Sequence, residues 1–324
     1  EGEFSEAELE LGITPMPREM MGDRTLILEE AASRLGYEVE PMPKFVDFGR
    51  CEGCGMCVTG CAYGAKWTAQ NYLAEARKLG ARILMESEVR EVLIRNGEVR
   101  GVVVRDRSGL REEGADLVVL AAGGLETPKI LLRSGIEAGD GLFADLFVNT
   151  YGTVRGARWG EEMGMATVIR REGYILSPIL DTQIHMLLYL PLRKKLMAFR
   201  RGSILGMITK IGDDASGIVR EEGVVKPVTP NDREKLDEGV RISKEILLEV
   251  GVESSSIYTT GVRGAHVGGT AAMGKVINRE HETEISGLYV GDASALPRAP
   301  GEPPVLTIVA LAKRLSKIVY ESAS

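Results

Sequence analysis

Residues 115–135, ADLVVLAAGGLETPKILLRSG, restrict the fold more than any other stretch. The run LVVLA has no polar alternation, as a strand buried on both faces requires, and it lies in a strand read over 116–121. Small residues then allow a tight turn, and a helix read from Thr127 stops at Gly135. Strand, tight turn and helix make one unit of a parallel sheet, so the chain is read as α/β. The far end repeats the theme. In GLYVGDASALP a short apolar strand ends at Gly291-Asp292, and VLTIVALAKRLSKIVYESA is an apolar-faced helix.

Other segments fill in the architecture. TLILEEAASRLG (25–36) and TAQNYLAEARKLG (68–80) carry apolar positions at helical spacing and stop at a glycine. From 81 to 109 the chain reads as a small antiparallel insertion, where a strand leads into two β-rich runs joined by the hairpin turn Asn96-Gly97. Between about 150 and 228 helical periodicity fades, and short apolar runs alternate with glycine and charged turns, which predicts a mostly antiparallel second domain. LRKKLMAFRRG (192–202), its one basic run, is expected to be a solvated edge rather than a docking patch. A helix follows in TPNDREKLDEGVRISKEILLEVG, with Thr229 as N-cap, Pro230 at the first helical position, Asp232 in the first turn and Gly251 at the stop.

All four cysteines of the 324-residue chain fall in CEGCGMCVTGC, as Cys51, Cys54, Cys57 and Cys61. Disulfide scaffolds spread their cysteines so that bridges close useful loops. Thiolates two and three residues apart on a glycine-rich turn instead converge on a small inorganic core, and C-x2-C-x2-C-x3-C is the run of bacterial ferredoxins. Zinc, which takes two separated ligand pairs, and four free thiols are the weaker readings. In ferredoxins the fourth cysteine of the run serves another cluster, yet no remote cysteine exists here. Three assignments stay open: a three-iron (3Fe-4S) cluster on three thiolates, a four-iron (4Fe-4S) cluster closed by Cys61, or a fourth ligand of another kind. A formal net charge of −7 argues against nucleic acid as a partner. Apolar runs such as 117–125 are too short to span a membrane, and the acidic start EGEFSEAELELG does not resemble a secretory or transit signal. A cytoplasmic setting is therefore expected.

Four blocks, in matching order and spacing, resemble the glucose–methanol–choline (GMC) flavoprotein oxidoreductases. GGLETPKILLRSGI resembles the second family signature, from Thr127-Pro128 through Ser134-Gly135. HVGGTAAMGKVIN, from His266, resembles the block of the catalytic histidine, and GLYVGDASALPRAPGEPPVLTIVALAKRL resembles the C-terminal flavin-contacting strand and helix. CEGCGMCVTGCAYGAK resembles a loop of bacterial and archaeal members, some of whose catalytic subunits carry an iron–sulfur cluster. The resemblance implies a Rossmann-like FAD-binding domain, over 1–149 and 256–324, with a mostly antiparallel α+β substrate domain at 150–255. It implies FAD, with Val89 beside the adenine, Asp292 on the ribityl–phosphate region and Thr307 near the ring. Ala121, Ala122, Gly123 and Thr127 on one strand-to-helix turn, and Gly291, Asp292 and Ala293 on another, would border the cofactor, where small residues and helix N-termini suit phosphate. The family's N-terminal strand and G-x-G-x-x-G turn have no counterpart between residue 1 and Cys51, and Glu1 replaces an initiator Met. The expectation is an FAD-binding domain incomplete at its N-terminus, in a fragment of a longer polypeptide or in one of two chains, the separate chain carrying the fingerprint.

The resemblance makes His266 the base that takes the hydroxyl proton of a small-molecule substrate while the carbinol hydride moves to flavin. His185, in an apolar run, and His281, in a charged loop, are expected to be structural. The base's usual partner lies in Gly-x-Asn-Pro; here the stretch is Gly301-Glu302-Pro303-Pro304, where Pro303 offers no polar group and Glu302 is the candidate substitute. Hydride transfer at carbon therefore stands beside alcohol oxidation as the chemistry. A cluster beside a flavin would pass electrons to an external acceptor, a protein or a quinone, as in a dehydrogenase. The reading from another class is a non-catalytic iron–sulfur electron-transfer subunit docking a separate flavoprotein. GTAAMGK (269–275) has phosphate-loop spacing, but Val276 stands where Ser or Thr would hold magnesium, so nucleotide hydrolysis is not expected.

Overall fold

The computed structural model describes residues 2–323. Its α-helices are α1 (Gly2–Leu11), α2 (Asp23–Arg34), α3 (Gln70–Lys78), α4 (Gly123–Arg133), α5 (Gln183–Tyr189), α6 (Pro230–Glu249) and α7 (Val305–Ala323). The apolar run LVVLA supplies the strand Val118–Leu120, which pairs in parallel with Leu288–Val290, Val290 opposite Leu120. The helix after the first of these strands starts at Gly123, ahead of the expected Thr127, because Gly123 adopts φ 83 and lets the chain turn at once. Leu120, Leu131, Leu288 and Val290 share one core with Val92 and Val99 of a three-stranded antiparallel sheet. That sheet comprises Glu88–Arg95, Glu98–Asp106 and Gly109–Gly114, and its first hairpin turns at Asn96-Gly97 with φ 54 and φ 77, as a two-residue turn of this type needs. The strand expected to lead into these two runs does not form; residues 81–87 lie outside any strand and are mostly exposed, and Gly109–Gly114 takes the third place instead.

The second sheet is antiparallel and six-stranded, ordered Tyr258–Thr259, Phe147–Thr153, Ile204–Ile211, Tyr174–Pro178, Thr167–Arg171 and Glu40–Pro41. Side chains alternate across it. Val148, Leu176, Leu205 and Met207 face α6, where Leu236, Ile242 and Ile246 complete a core shared with Leu28 of α2. α6 begins with the capping box Thr229/Asp232, each side chain bonding the other's backbone N–H. The opposite face therefore carries Phe147, Asn149, Tyr151, Ile208 and Lys210. Because Glu40–Pro41 and α2 belong to this sheet and its cover, the two sheets interleave along the chain.

α1, which periodicity did not announce, packs on α7. Ala7 and Leu11 are buried there, and Lys313 meets Glu6 at 3.2 Å and Glu10 at 2.6 Å. The cysteine loop is closed at its base by Asp47 N–H to Ala65 O at 2.9 Å and Trp67 N–H to Phe45 O at 3.0 Å. It rests on Met16, Met21, Met163 and Ala166.

Candidate active site

The segment 263–268 is bound edge to edge along 143–147: Arg263 and Phe147 exchange backbone hydrogen bonds at 2.9 and 2.8 Å, and Ala265 and His266 both donate to Ala144 O. This lays the His266 side chain beside Asp145. Asp145 is fully buried and holds φ 46, a left-handed backbone that Asp tolerates better than most residues but that still stores strain. Its Oδ2 accepts from Lys210 Nζ at 2.8 Å and lies 3.1 Å from His266 Nδ1, while its Oδ1 accepts from Gly301 N–H at 3.3 Å. A carboxylate can only accept, so His266 donates through Nδ1–H, and in the neutral ring Nε2 keeps its lone pair. The His266 side chain is one third exposed. Lys210 is 2% exposed; burial drives its pKa down, and Asp145 opposes that. The pair Asp145–Lys210 thus holds the His266 ring in place and adds little net charge around it.

The same face of the sheet holds a second polar group. Asp181 Oδ2 accepts from Tyr151 OH at 2.8 Å, Asn149 Nδ2 at 3.1 Å and Arg263 at 3.4 Å. Two buried atoms there, Asn149 Oδ1 and Arg263 Nε, have no hydrogen-bond partner. A buried acceptor and donor left unmet cost about 1–3 kcal/mol each, which a polar ligand would relieve.

Two turns at the end of the parallel strands meet the histidine block. Asp292 locks them together: its Oδ2 accepts from Gly123 N–H at 2.8 Å and Thr127 Oγ1 at 2.6 Å, its Oδ1 from Ser294 N–H at 2.7 Å and Oγ at 2.5 Å. Thr127 is buried, and Ala122 N–H donates to its hydroxyl at 3.1 Å. Pro128 has no N–H to offer the carbonyl of Gly124, and Thr270 Oγ1 takes that acceptor at 2.8 Å. Gly124 must be glycine: a Cβ there would lie 2.6 Å from Val267 O. Gly269, Ala271 and Met273 donate in turn to Ala293, Ser294 and Ala295 carbonyls. Ala121 and Ala122 stay exposed, Gly123, Gly291 and Ala293 half-exposed, so the ends of the strands stay open to a ligand. Small open residues beside a helix N-terminus fit an FAD phosphate, while Asp292 has both oxygens engaged by the protein.

The remaining expected residues separate. Val89 is half-buried against the core of the parallel pair, and Thr307 lies in the first turn of α7. Glu302 does not meet His266; it pairs with Arg170 at 3.0 Å. His281 is buried with Nδ1 3.1 Å from Val290 O, and burial lowers its pKa. His185 lies on α5, its ring 6.1 Å from that of Tyr189. Sequence reasoning missed Asp145 and Lys210. The available signal was a lone charge in each of two apolar stretches, GLFADLF and ILGMITKI.

The four cysteines are free, half-buried, and line one pocket with Gly53, Gly55, Gly60, Lys66 and Met163. Gly53, Gly55 and Gly60 all take positive φ, which folds the loop back on itself. Burial pushes the Cys57 thiol up, whereas the backbone N–H of Lys66, aided by those of Ala65, Tyr63 and Gly64, holds Cys61 below the usual thiol range. Half-buried Lys44 is pushed by burial to about 8, and Cys57 opposes this. Among the described residues no three His, Cys, Asp or Glu side chains are gathered to chelate a single ion.

Two family models, both described as GMC oxidoreductase, match residues 2–149 and 225–312. An uncharacterized protein of Methanocaldococcus jannaschii is 31% identical over 289 residues, 89% of this chain and 72% of its own length. An uncharacterized GMC-type oxidoreductase of Mycobacterium tuberculosis is 27% identical over 364 residues, 95% of this chain and 56% of that protein. The long-chain-alcohol oxidase FAO3 of Arabidopsis thaliana is 24% identical over 385 residues, 91% of this chain and 50% of that one. The chain thus spans from half to nearly three quarters of these relatives. In fold it is similar to the crystal structure of pyridoxine 4-oxidase from Mesorbium loti, at a TM-score of 0.71 and 21% identity, over 95% of this chain and 72% of the other.

Proposed function

From its membership of the GMC oxidoreductase family, to which this chain belongs, we propose that the protein is an FAD-dependent dehydrogenase acting on a CH–OH group, with His266 as the base. The observation that carries this reading is the buried Asp145, which ties down His266 Nδ1 and leaves Nε2 free. An electron-transfer subunit would have no use for an oriented base. FAD, when bound, supplies the hydride acceptor. Ala121, Ala122, Gly123, Thr127, Gly291, Asp292 and Ala293 would border it, with Val89 and Thr307 at its two ends. His266 Nε2 removes the hydroxyl proton of the substrate, and the ring is steadied by Asp145 as the charge of the imidazolium grows. Asn149 Oδ1 and Arg263 Nε, unmet by the protein, are the proposed contacts for a polar group of the substrate. Glu302 keeps a structural part as the partner of Arg170.

The cysteine loop is proposed as the seat of an iron–sulfur cluster held by Cys51, Cys54, Cys57 and Cys61, whose chemistry would be one-electron transfer to an external acceptor. Four thiols lining one pocket, with Lys44 and Lys66 at hand to balance negative charge, support it. Crowded reduced thiols also suit a cytoplasmic setting. The test uses the protein together with any segment or partner chain that supplies the FAD fingerprint. Flavin, iron and acid-labile sulfide are measured per chain, and an electron-accepting dye is bleached in the presence of alcohols. Replacing His266 by Ala should lower turnover about 10²- to 10⁴-fold and keep the flavin; unchanged turnover reassigns the base. Absence of iron and sulfide after anaerobic purification removes the cluster. A Cys61→Ser variant that keeps a three-iron signal excludes Cys61 as a ligand.

A further inference from the structure

Residues 183–203 cross the surface as α5, a turn at Pro191 and the 3-10 segment Leu192–Ser203. One side of this element packs inward, with Met186, Leu190 and Ala198 buried against Tyr151 and Ile204. The other side is apolar as well. Ile184, Leu188, Leu192, Leu196 and Phe199 recur at three- or four-residue intervals and are 66–83% exposed. The five lie on two short helical segments joined by extended Leu190 and Pro191, and so many large apolar side chains exposed within one stretch are more than a soluble monomer ordinarily leaves bare.

The charges beside that row have one sign. Arg193, Lys194, Lys195 and Arg200 stand among the leucines, and no acidic residue occurs between Asp181 and Asp213 in a chain whose net charge is −7. Lys194 sits over the Tyr258 ring, and Arg201 pairs with Glu161 at 2.5 Å. Arg193, Lys195 and Arg200 enter no ion pair among the described residues. The expectation that 192–202 is only a solvated edge took in the cations but not the apolar row between them. A second copy pressed face to face on this element would set cations against cations. Apolar side chains projecting between unpaired cations suit instead a surface with an apolar interior and anionic head groups, the former entering the acyl boundary and the latter meeting phosphate.

We propose that residues 183–203 seat the protein on the surface of an anionic lipid bilayer. No helix of the described residues is long and apolar enough to cross a membrane, and the attachment proposed for this element is a peripheral one. The element also adjoins the site, since the Arg263 guanidinium stacks 4.7 Å from the Tyr189 ring of α5.

The test is co-flotation of the full protein with vesicles of phosphatidylcholine, with and without phosphatidylglycerol, at low and high salt. Binding to the anionic vesicles is expected, falling about tenfold or more on phosphatidylcholine alone or at high salt. Leu192→Glu with Leu196→Glu should abolish it, and Arg193→Gln with Lys195→Gln should weaken it while removing most of its salt dependence. All four side chains point outward or lie at the surface, so both variants should keep the wild-type circular dichroism and melting temperature. The proposal is overturned if the protein does not float with anionic vesicles, or if both variants bind as the wild type does. It is equally overturned if sedimentation shows a dimer that Leu192→Glu with Leu196→Glu dissociates, because a second copy then covers the row.

Discussion

Replacing Asp145 by Asn separates the two duties of that residue. The substitution is nearly isosteric, but it leaves the Lys210 ammonium, 2% exposed, without a counter-charge and deprives His266 Nδ1 of its anionic acceptor. At 2.8 Å the Lys210–Asp145 attraction is about 6 kcal/mol for an effective dielectric constant near 20. Stranding one member of such a buried pair typically costs about 3–5 kcal/mol. In a chain of this size that should lower the melting temperature by roughly 4–7 °C. Turnover should fall further than stability explains, by about two to four orders of magnitude, as when a histidine base loses its orienting carboxylate. Adding Lys210→Met removes the stranded charge, so the double variant should recover most of the melting temperature and none of the turnover. Both are measured on the same preparations, by calorimetry and by dye reduction with a substrate of the proposed reaction. Recovery of turnover in the double variant would refute the orienting role, and an unchanged melting temperature in Asp145→Asn would refute the ion-pair argument.

Three further outcomes are expected. Gly124→Ala drives a Cβ to 2.6 Å from Val267 O, which should cost about 1–3 kcal/mol in a urea titration and lower turnover by moving the segment of His266. Thr127→Val strips a donor from Asp292 and leaves Ala122 N–H unmet, so stability should drop by about 1–3 kcal/mol and flavin should leave the protein faster on dilution. Burial holds the His281 pKa below its ordinary 6.5, so the stability it supports is complete above that value and is lost as pH falls toward the folded pKa, where the unfolded chain takes up a proton that the native one refuses. His281→Asn should flatten the fall in melting temperature as pH is lowered through 6.5; an undiminished slope would assign the effect elsewhere.

Elements with strong local signals were legible. The strand and turn of 117–124, the Asn96-Gly97 hairpin and the Thr229/Asp232 capping box each rest on chemistry within a few residues, and each is present. The α/β class followed from the first of them and from the strand and helix near the C-terminus, and the family resemblance rested on that first block together with those of the cysteines, His266 and Gly291-Asp292. Partnership across the chain was not legible. Asp145 and Lys210 are 65 positions apart, and only the fold shows that the lone acid of one apolar stretch meets the lone base of another. Glu302 stood at the family position in sequence, yet Arg170 from the neighbouring sheet captures it. The strand expected ahead of the hairpin had no neighbour to pair with, and the less apolar Gly109–Gly114 had one. α1 owes its place to α7, three hundred residues downstream, through Lys313 and Lys317.

The contact between Gly124 and Val267 is made by main chain alone, and Gly268 would likewise drive a Cβ to 2.4 Å from Ala293 O. No side chain intervenes between the turn at the strand ends and the peptide that bears His266. The spacing of these two parts is therefore insulated from most amino-acid replacement. Residues around Asn149 and Arg263 can therefore be exchanged while the His266 ring keeps its distance from the strand ends. One wall of the site can vary, and the part opposite can stay as it is.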